Sequence, residues 1–146
     1  MRFLVDTMVL SEARRREPDP AVVAWLRATP EADLAVSVLT LGEIERGIAR
    51  LADAVQRRRL QAWLEDELRP RFGERVLPVD ADVAAIWGRT AGEAARAGRT
   101  VPTIDGLLVA TARRHALTLV TRNVTDVGDV GDVEGLGVPV RNPWEA

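Results

Sequence analysis

The chain contains no cysteine, which excludes disulfides, thiolate metal sites and cysteine nucleophiles together. His115 is the only histidine, so a zinc centre of the usual nitrogen and sulfur ligands cannot be assembled. Lysine is absent too: all 20 basic residues are arginine. A G+C-rich coding bias is the simplest cause, yet the absence rules out sites that hold phosphate with a lysine. No apolar run approaches the roughly 20 residues needed to cross a bilayer. The N-terminal stretch Met1-Arg2-Phe3-Leu4-Val5-Asp6 meets an acid before a signal peptide's apolar region could form. A cytoplasmic chain without a membrane partner is expected. Positive charge is not in excess either. With a net charge of −2, no global field draws in nucleic acid, and any phosphate contact must come from local arginines.

What is present is ordinary for a globular protein. A chain of 146 residues with 47% hydrophobic content can bury one core, so a single domain over 1–146 is expected. Short Val- and Leu-rich runs at 3–5, 34–38, 75–79, 117–121 and, more weakly, 138–140 read as strands. Between them, helical patterns cover 7–16, 20–28, 39–52, 54–68, 81–97 and 103–115. Leu41, Ile44, Ile48 and Leu51 make one apolar stripe, and Leu60, Trp63, Leu64 and Leu68 another. Pro30, Pro70, Gly73, Gly98 and Pro102 punctuate the helix ends. This alternation predicts an α/β fold: a three-layer α/β/α sandwich around a central, mostly parallel sheet of four to five strands. The Gly/Asp-rich stretch 127–137 reads as a surface loop, since its short Val-Gly-Asp units lack EF-hand spacing.

The acids fall where such a fold binds ligands, beyond the carboxyl ends of the strands. Asp6 directly follows the first strand, and Glu43 lies early in the helix after the second. Asn123 and Asp126 follow the fourth strand, and Asp105 opens the helix leading into it. Each has a plain alternative. Asp6 suits a helix N-cap; Glu43 shares a face with Arg46, Gly47 and Arg50 and suits a solvated ion-pair face. Asp105 suits the positive end of a helix capped by Thr103, although Leu108, Val109 and Ala112 on its side make a casual carboxylate costly. Asp126 needs no explanation in a polar loop. Together, however, the acids would repel one another unless a cation were present. Oxygen ligands of this kind suit Mg²⁺ or Mn²⁺. His115, at a helix end beside Arg113 and Arg114, reads as a dipole-complementing residue.

The run Phe3-Leu4-Val5-Asp6-Thr7 with Val9-Leu10-Ser11-Glu12 resembles the first motif of PIN domains. The segment from Ser37 through Leu41-Gly42-Glu43-Ile44 to Gly47 is similar to the second, with Glu43 as its acid. Ile104-Asp105-Gly106-Leu107-Leu108 resembles the third, and Thr121-Arg122-Asn123-Val124-Thr125-Asp126 the fourth. Asn142-Pro143-Trp144 and Leu77-Pro78-Val79-Asp80 resemble VapC-type toxins of the FitB-like subgroup. The resemblance implies Mg²⁺- or Mn²⁺-dependent RNA cleavage, with Asp6, Glu43, Asp105 and Asp126 as metal ligands. It further implies a homodimer, a cognate VapB-type antitoxin and a toxin–antitoxin hetero-oligomer. Family members differ over whether the position of Asn123 or that of Asp126 carries the fourth acid, so that role stays open. Thr7 is expected either to hydrogen-bond a metal ligand or water, or to cap a helix.

Other assignments remain alongside. Arginine clusters at 14–16 and 57–59 are either contacts for RNA or antitoxin or, more simply, solvated helix faces. Trp25, Trp63, Trp87 and Trp144 could stack on bases, but Trp63 and Trp87 fit apolar stripes. A receiver domain would need a lysine, and a haloacid-dehalogenase-like phosphatase would need an acid where Met8 stands. The remaining alternatives are a DNA-directed nuclease and a non-catalytic PIN-like module that binds nucleic acid or protein.

Overall fold

A computed structural model of the chain describes residues 1–122 and 137–145. Its strands are β1 (Phe3–Val5), β2 (Leu34–Ser37), β3 (Val76–Leu77), β4 (Thr118–Val120) and β5 (Val140–Arg141). They form one sheet in the order β3-β2-β1-β4-β5, and every pairing is parallel. Leu4 lies beside Ala35 on one flank and Leu119 on the other, which places β1 at the centre.

The helices are α1 (Thr7–Ala13), α2 (Pro20–Ala28), α3 (Val38–Ala49), α4 (Ala54–Trp63), α5 (Arg69–Phe72), α6 (Ala81–Arg96) and α7 (Thr103–Arg114). Most begin where the sequence supplies a short polar acceptor. Asp6, Asp19, Ser37, Asp53 and Asp80 each accept a backbone N–H at the start of a helix, satisfying donors that the helix itself cannot pair.

Side-chain alternation along the strands divides the core in two. Val5, Leu34, Val36 and Val120 face a cluster with Val9, Leu10, Val22, Ile44, Ile48, Leu64, Leu68 and Phe72, so α1 to α5 cover this side. Leu4, Ala35, Leu77 and Leu119 face the other side with Leu108, Val109 and Ala112 of α7, and α6 packs against α7. Right-handed crossovers explain the division. From β1 to β2 to β3 the chain steps in one direction; the connection to β4 steps back across β1 and must therefore run over the opposite face. The result is the expected three-layer sandwich, with a sheet that is wholly parallel among the described residues.

The helices expected over 7–16 and 39–52 end earlier, at Ala13 and Ala49, and one expected stop is absent. Pro70 does not end a helix: α4 runs into a π-helical turn at Leu64–Leu68 and then into α5. The Arg69 N–H bonds to the Leu64 carbonyl, five residues back. This wider turn relieves the clash that a proline ring makes with the carbonyl four residues earlier. It also keeps Leu64, Leu68 and Phe72 buried in register. Among the described residues, no helix is long and apolar enough to cross a membrane. The 127–137 loop, apart from Gly137, lies outside the described residues.

Candidate active site

Strand order reverses direction at β1, so the crevice between the carboxyl ends of β1 and β4 is the topological switch point of the sheet. Open parallel sheets bind ligands there. Val5 pairs with Val120, which sets the next residues, Asp6 and Thr121, side by side at that edge. The Asp6 N–H continues the ladder to the Val120 carbonyl at 3.1 Å.

Asp6 performs two tasks. One oxygen caps α1, accepting the Val9 N–H at 3.2 Å; the other accepts a short hydrogen bond from the Thr121 hydroxyl. The helix-cap alternative is therefore real, and it fixes the carboxylate at the switch point. Only 8% of Asp6 is exposed. Burial raises its carboxyl above the ordinary value of 3.8; the bonds from Thr121 and the α1 backbone pull the other way, and the charge of Glu43 adds to the rise. Asp6 and Glu43 thus feel each other across the edge.

Thr7 makes the second link. Its hydroxyl donates to Glu43 Oε1 at 3.0 Å. The cap of α1 is Asp6, so Thr7 serves a partner carboxylate and not the helix end. Glu43 lies in the second turn of α3, whose start is fixed by the Leu39 N–H bonding to Ser37 Oγ at 3.0 Å. Among the described residues Glu43 forms no ion pair with Arg46 or Arg50, although all three line one small cleft.

Asp105 is placed by topology. A twelve-residue α7 spans about 18 Å and a three-residue β4 about 10 Å. The chain reverses tightly at the end of α7, where Ala116 adopts a left-handed conformation and the Leu117 N–H returns to the Ala112 carbonyl at 2.8 Å. The helix therefore runs back over β4, and its first turn, with Asp105, overhangs the carboxyl edge. Thr103 is not the cap: the cap position is Pro102, which offers no side-chain bond. Gly106 lets Trp87 of α6 close on this turn, since a Cβ there would lie 3.0 Å from the indole. Asn123 and Asp126 lie outside the described residues.

The structure thus joins Asp6, Thr7 and Glu43 directly, and puts Asp105 at the same edge. Among the described residues, no three acids or histidines already stand close enough to form a metal cage. The donor chemistry is nevertheless that of a hard cation. Every candidate offers oxygen, and His115 sits about 15 Å along α7 from Asp105. A buried Asp6 whose charge is opposed by Glu43 is also what a cation would relieve.

Sequence reasoning gave Thr121 no role. Its role comes from the β1–β4 pairing, which sets the residue after β4 beside the residue after β1 and has no local signal in the sequence. It also passed over Glu12, which is 6% exposed and accepts bonds from Arg15 Nη1 and Trp144 Nε1, each at 3.3 Å. Other arginines and tryptophans have local duties. Arg14 lies over Trp63 at 4.5 Å, Arg57 caps the Leu51 and Ala52 carbonyls, and Trp25 meets Phe3 edge-on at 5.2 Å.

Comparison with known proteins identifies the family. Residues 3–125 match the family model described as PIN domain. The chain is 37% identical over 142 residues to the Toxin FitB of Neisseria gonorrhoeae, covering 97% of this chain and 98% of the relative. It is 34% identical to the VapC ribonuclease Y4jK of Sinorhizobium fredii, covering 98% of each. The crystal structure of FitAcB from Neisseria gonorrhoeae superposes with a TM-score of 0.89 at 35% identity, over 99% of both chains. The family match over most of the chain and these relatives show that the chain belongs to the PIN domain family.

Proposed function

We propose that this chain is a VapC-type endoribonuclease, the toxin half of a toxin–antitoxin pair, acting as one domain over 1–146. The observation that carries the proposal is the pairing at the switch point: a buried Asp6 opposed by Glu43, with Thr7 bonded to Glu43 and Thr121 to Asp6. A relative of nearly equal length named as a VapC ribonuclease supports the reaction class. The name Toxin FitB, and structural neighbours such as a VapBC toxin–antitoxin protein from Mycobacterium tuberculosis, support the biological role.

In this reading Asp6, Glu43 and Asp105 would hold Mg²⁺ or Mn²⁺, with Asp126 as a further ligand and Asn123 orienting a water or a partner carboxylate. When bound, the ion activates water and neutralises charge on the phosphodiester under attack. The chain's own residues prepare that site. Thr121 and the start of α1 hold the Asp6 carboxylate in one rotamer. Thr7 holds Glu43 at the same edge through Oε1, and among the described residues the carboxylate's other oxygen has no hydrogen-bond partner. Asp105 approaches on the first turn of α7.

A homodimer, and restraint of the free toxin by a VapB-type antitoxin, belong to the same proposal. The antitoxin would cover the acidic edge and present a basic side chain to Asp6, Glu43 and Asp105. The discriminating experiment offers antitoxin-free protein an RNA and a single-stranded DNA of the same sequence, with Mg²⁺ or Mn²⁺. Cleavage of RNA alone, suppressed by stoichiometric antitoxin, is expected. Cleavage of DNA would assign a DNA-directed nuclease, and binding without cleavage of either would assign a binding module.

A further inference from the structure

Two clefts meet at Thr7, one on each side of α1. The larger, about 400 Å³, is mostly apolar and is floored by Ile44, Ile48, Leu60 and Trp63. The smaller, about 290 Å³, is bounded by Met8, Glu12, Arg15, Arg122 and Trp144. Arg122 directly follows Thr121, the residue bonded to Asp6, and Thr7, which donates to Glu43, lines the same cleft, so the cleft adjoins the residues that hold both acids.

Charge distinguishes the cations around the site. Arg14 lies over Trp63, and Arg15 is paired with Glu12. Arg122 is exposed and, among the described residues, makes no ion pair; its guanidinium rests on the Trp144 ring at 5.1 Å. That ring is fixed. Trp144 Nε1 donates to Glu12 Oε1 at 3.3 Å, and the Trp144 backbone N–H donates to Asn142 Oδ1 at 3.0 Å. Glu12 is held in turn by Arg15 and by the Asp19 N–H at 3.4 Å. A buried carboxylate given three donors is anchored, and losing any of them would leave it under-satisfied. The outcome is an arginine stacked on a rigid shelf, with no ion pair among the described residues, next in sequence to the Thr121 that holds the Asp6 carboxylate. A guanidinium stacked this way loses little entropy when it grips an oxyanion. An acidic site that must admit a phosphodiester needs such a compensating cation, since the chain's net charge of −2 supplies none.

We propose that the cleft between α1 and the C-terminal turn is a phosphate subsite for the substrate strand, with Arg122 as the contacting cation and Trp144 as its positioning residue. The proposal rests on a nucleic-acid substrate, as argued above. The test is fluorescence anisotropy of a labelled single-stranded RNA oligonucleotide with antitoxin-free protein in EDTA, where binding is read without cleavage. Arg122→Ala is expected to weaken binding about fivefold at low salt and to flatten the log K against log salt slope by about 0.7. Arg122→Lys should keep most of the slope. Trp144→Ala should weaken binding in the wild-type background but add little to Arg122→Ala, which a merely structural role would not produce. Trp144→Phe keeps an aromatic face but loses the Nε1–H donor to Glu12, so a smaller loss of binding is expected of it, and it serves if the alanine variant fails to fold.

Unchanged affinity and slope in Arg122→Ala would overturn the subsite, as would an equal loss in Arg58→Ala, on α4 away from this cleft. Cleavage is scored separately. RNA cleavage with binding insensitive to Arg122 refutes the subsite and leaves the nuclease standing. Arg122-dependent binding by a protein that never cleaves supports the subsite and counts against the nuclease.

Discussion

The Thr7 hydroxyl and Glu43 Oε1, 36 residues apart in sequence, meet at 3.0 Å and tie α1 to α3 at the carboxyl edge of the sheet. Each residue follows a different strand, so the bond exists only because β1 and β2 run parallel and side by side. It turns a glutamate that the sequence allows on a solvated helix face into one tethered beside Asp6's neighbour, close enough for its charge to act on Asp6.

Thr7→Val keeps the side-chain shape and removes the donor. Cleavage is expected to fall roughly 10–100-fold, as for other residues that orient a ligand. Unfolding free energy should change by no more than about 1.5 kcal/mol, the net value of one hydrogen bond. Thr7→Ser should retain most activity. Steady-state cleavage paired with urea denaturation checks both parts, and parallel losses in the two would mean that Thr7 is simply structural.

Asp6→Asn should abolish cleavage while stabilising the metal-free protein at neutral pH. Burial, reinforced by Glu43, raises the folded carboxyl above its unfolded value. A raised carboxyl contributes stability at pH below 3.8 that is lost as pH rises through the folded value. Asparagine has no such loss and still caps α1. Thermal melts in EDTA should therefore nearly coincide at low pH and separate above it, with the variant higher. A variant less stable than wild type at pH 7 would contradict the assignment of Asp6 as a strained, functional carboxylate.

Ala116 has φ 55°, a left-handed conformation that costs a residue with a Cβ roughly 1–2 kcal/mol. Ala116→Gly should raise stability by about 0.5–1 kcal/mol, after glycine's greater unfolded-state entropy is subtracted. Cleavage should be unchanged, because the turn ends α7 far from Asp105. Equilibrium denaturation decides it, and a destabilised glycine variant would be inconsistent with the turn described.

The sheet and its helices were legible because the signals are local. Phe3-Leu4-Val5 alternates between two apolar faces, and the stripes holding Ile44 with Ile48 and Leu64 with Leu68 mark the helix faces that the core buries. The carboxyl-edge position of Asp6 and Glu43 followed from chain order alone. Three features were not legible. Pro70 is accommodated by a π-helical turn that depends on burying Leu68 and Phe72 together, which is a tertiary demand. Thr121 gains its role from strand register with Asp6, and Glu12 from Trp144, a partner 132 residues away. Long-range pairs of that kind leave no periodic trace in the sequence.

The most direct test of the central claim incubates purified, antitoxin-free protein with labelled total RNA and Mg²⁺ or Mn²⁺, beside EDTA, Asp6→Asn and Asp105→Asn controls. Discrete cleavage that disappears in all three controls is the expected result. Cleavage that persists in EDTA or in folded Asp6→Asn and Asp105→Asn proteins would contradict a carboxylate-held metal at the switch point.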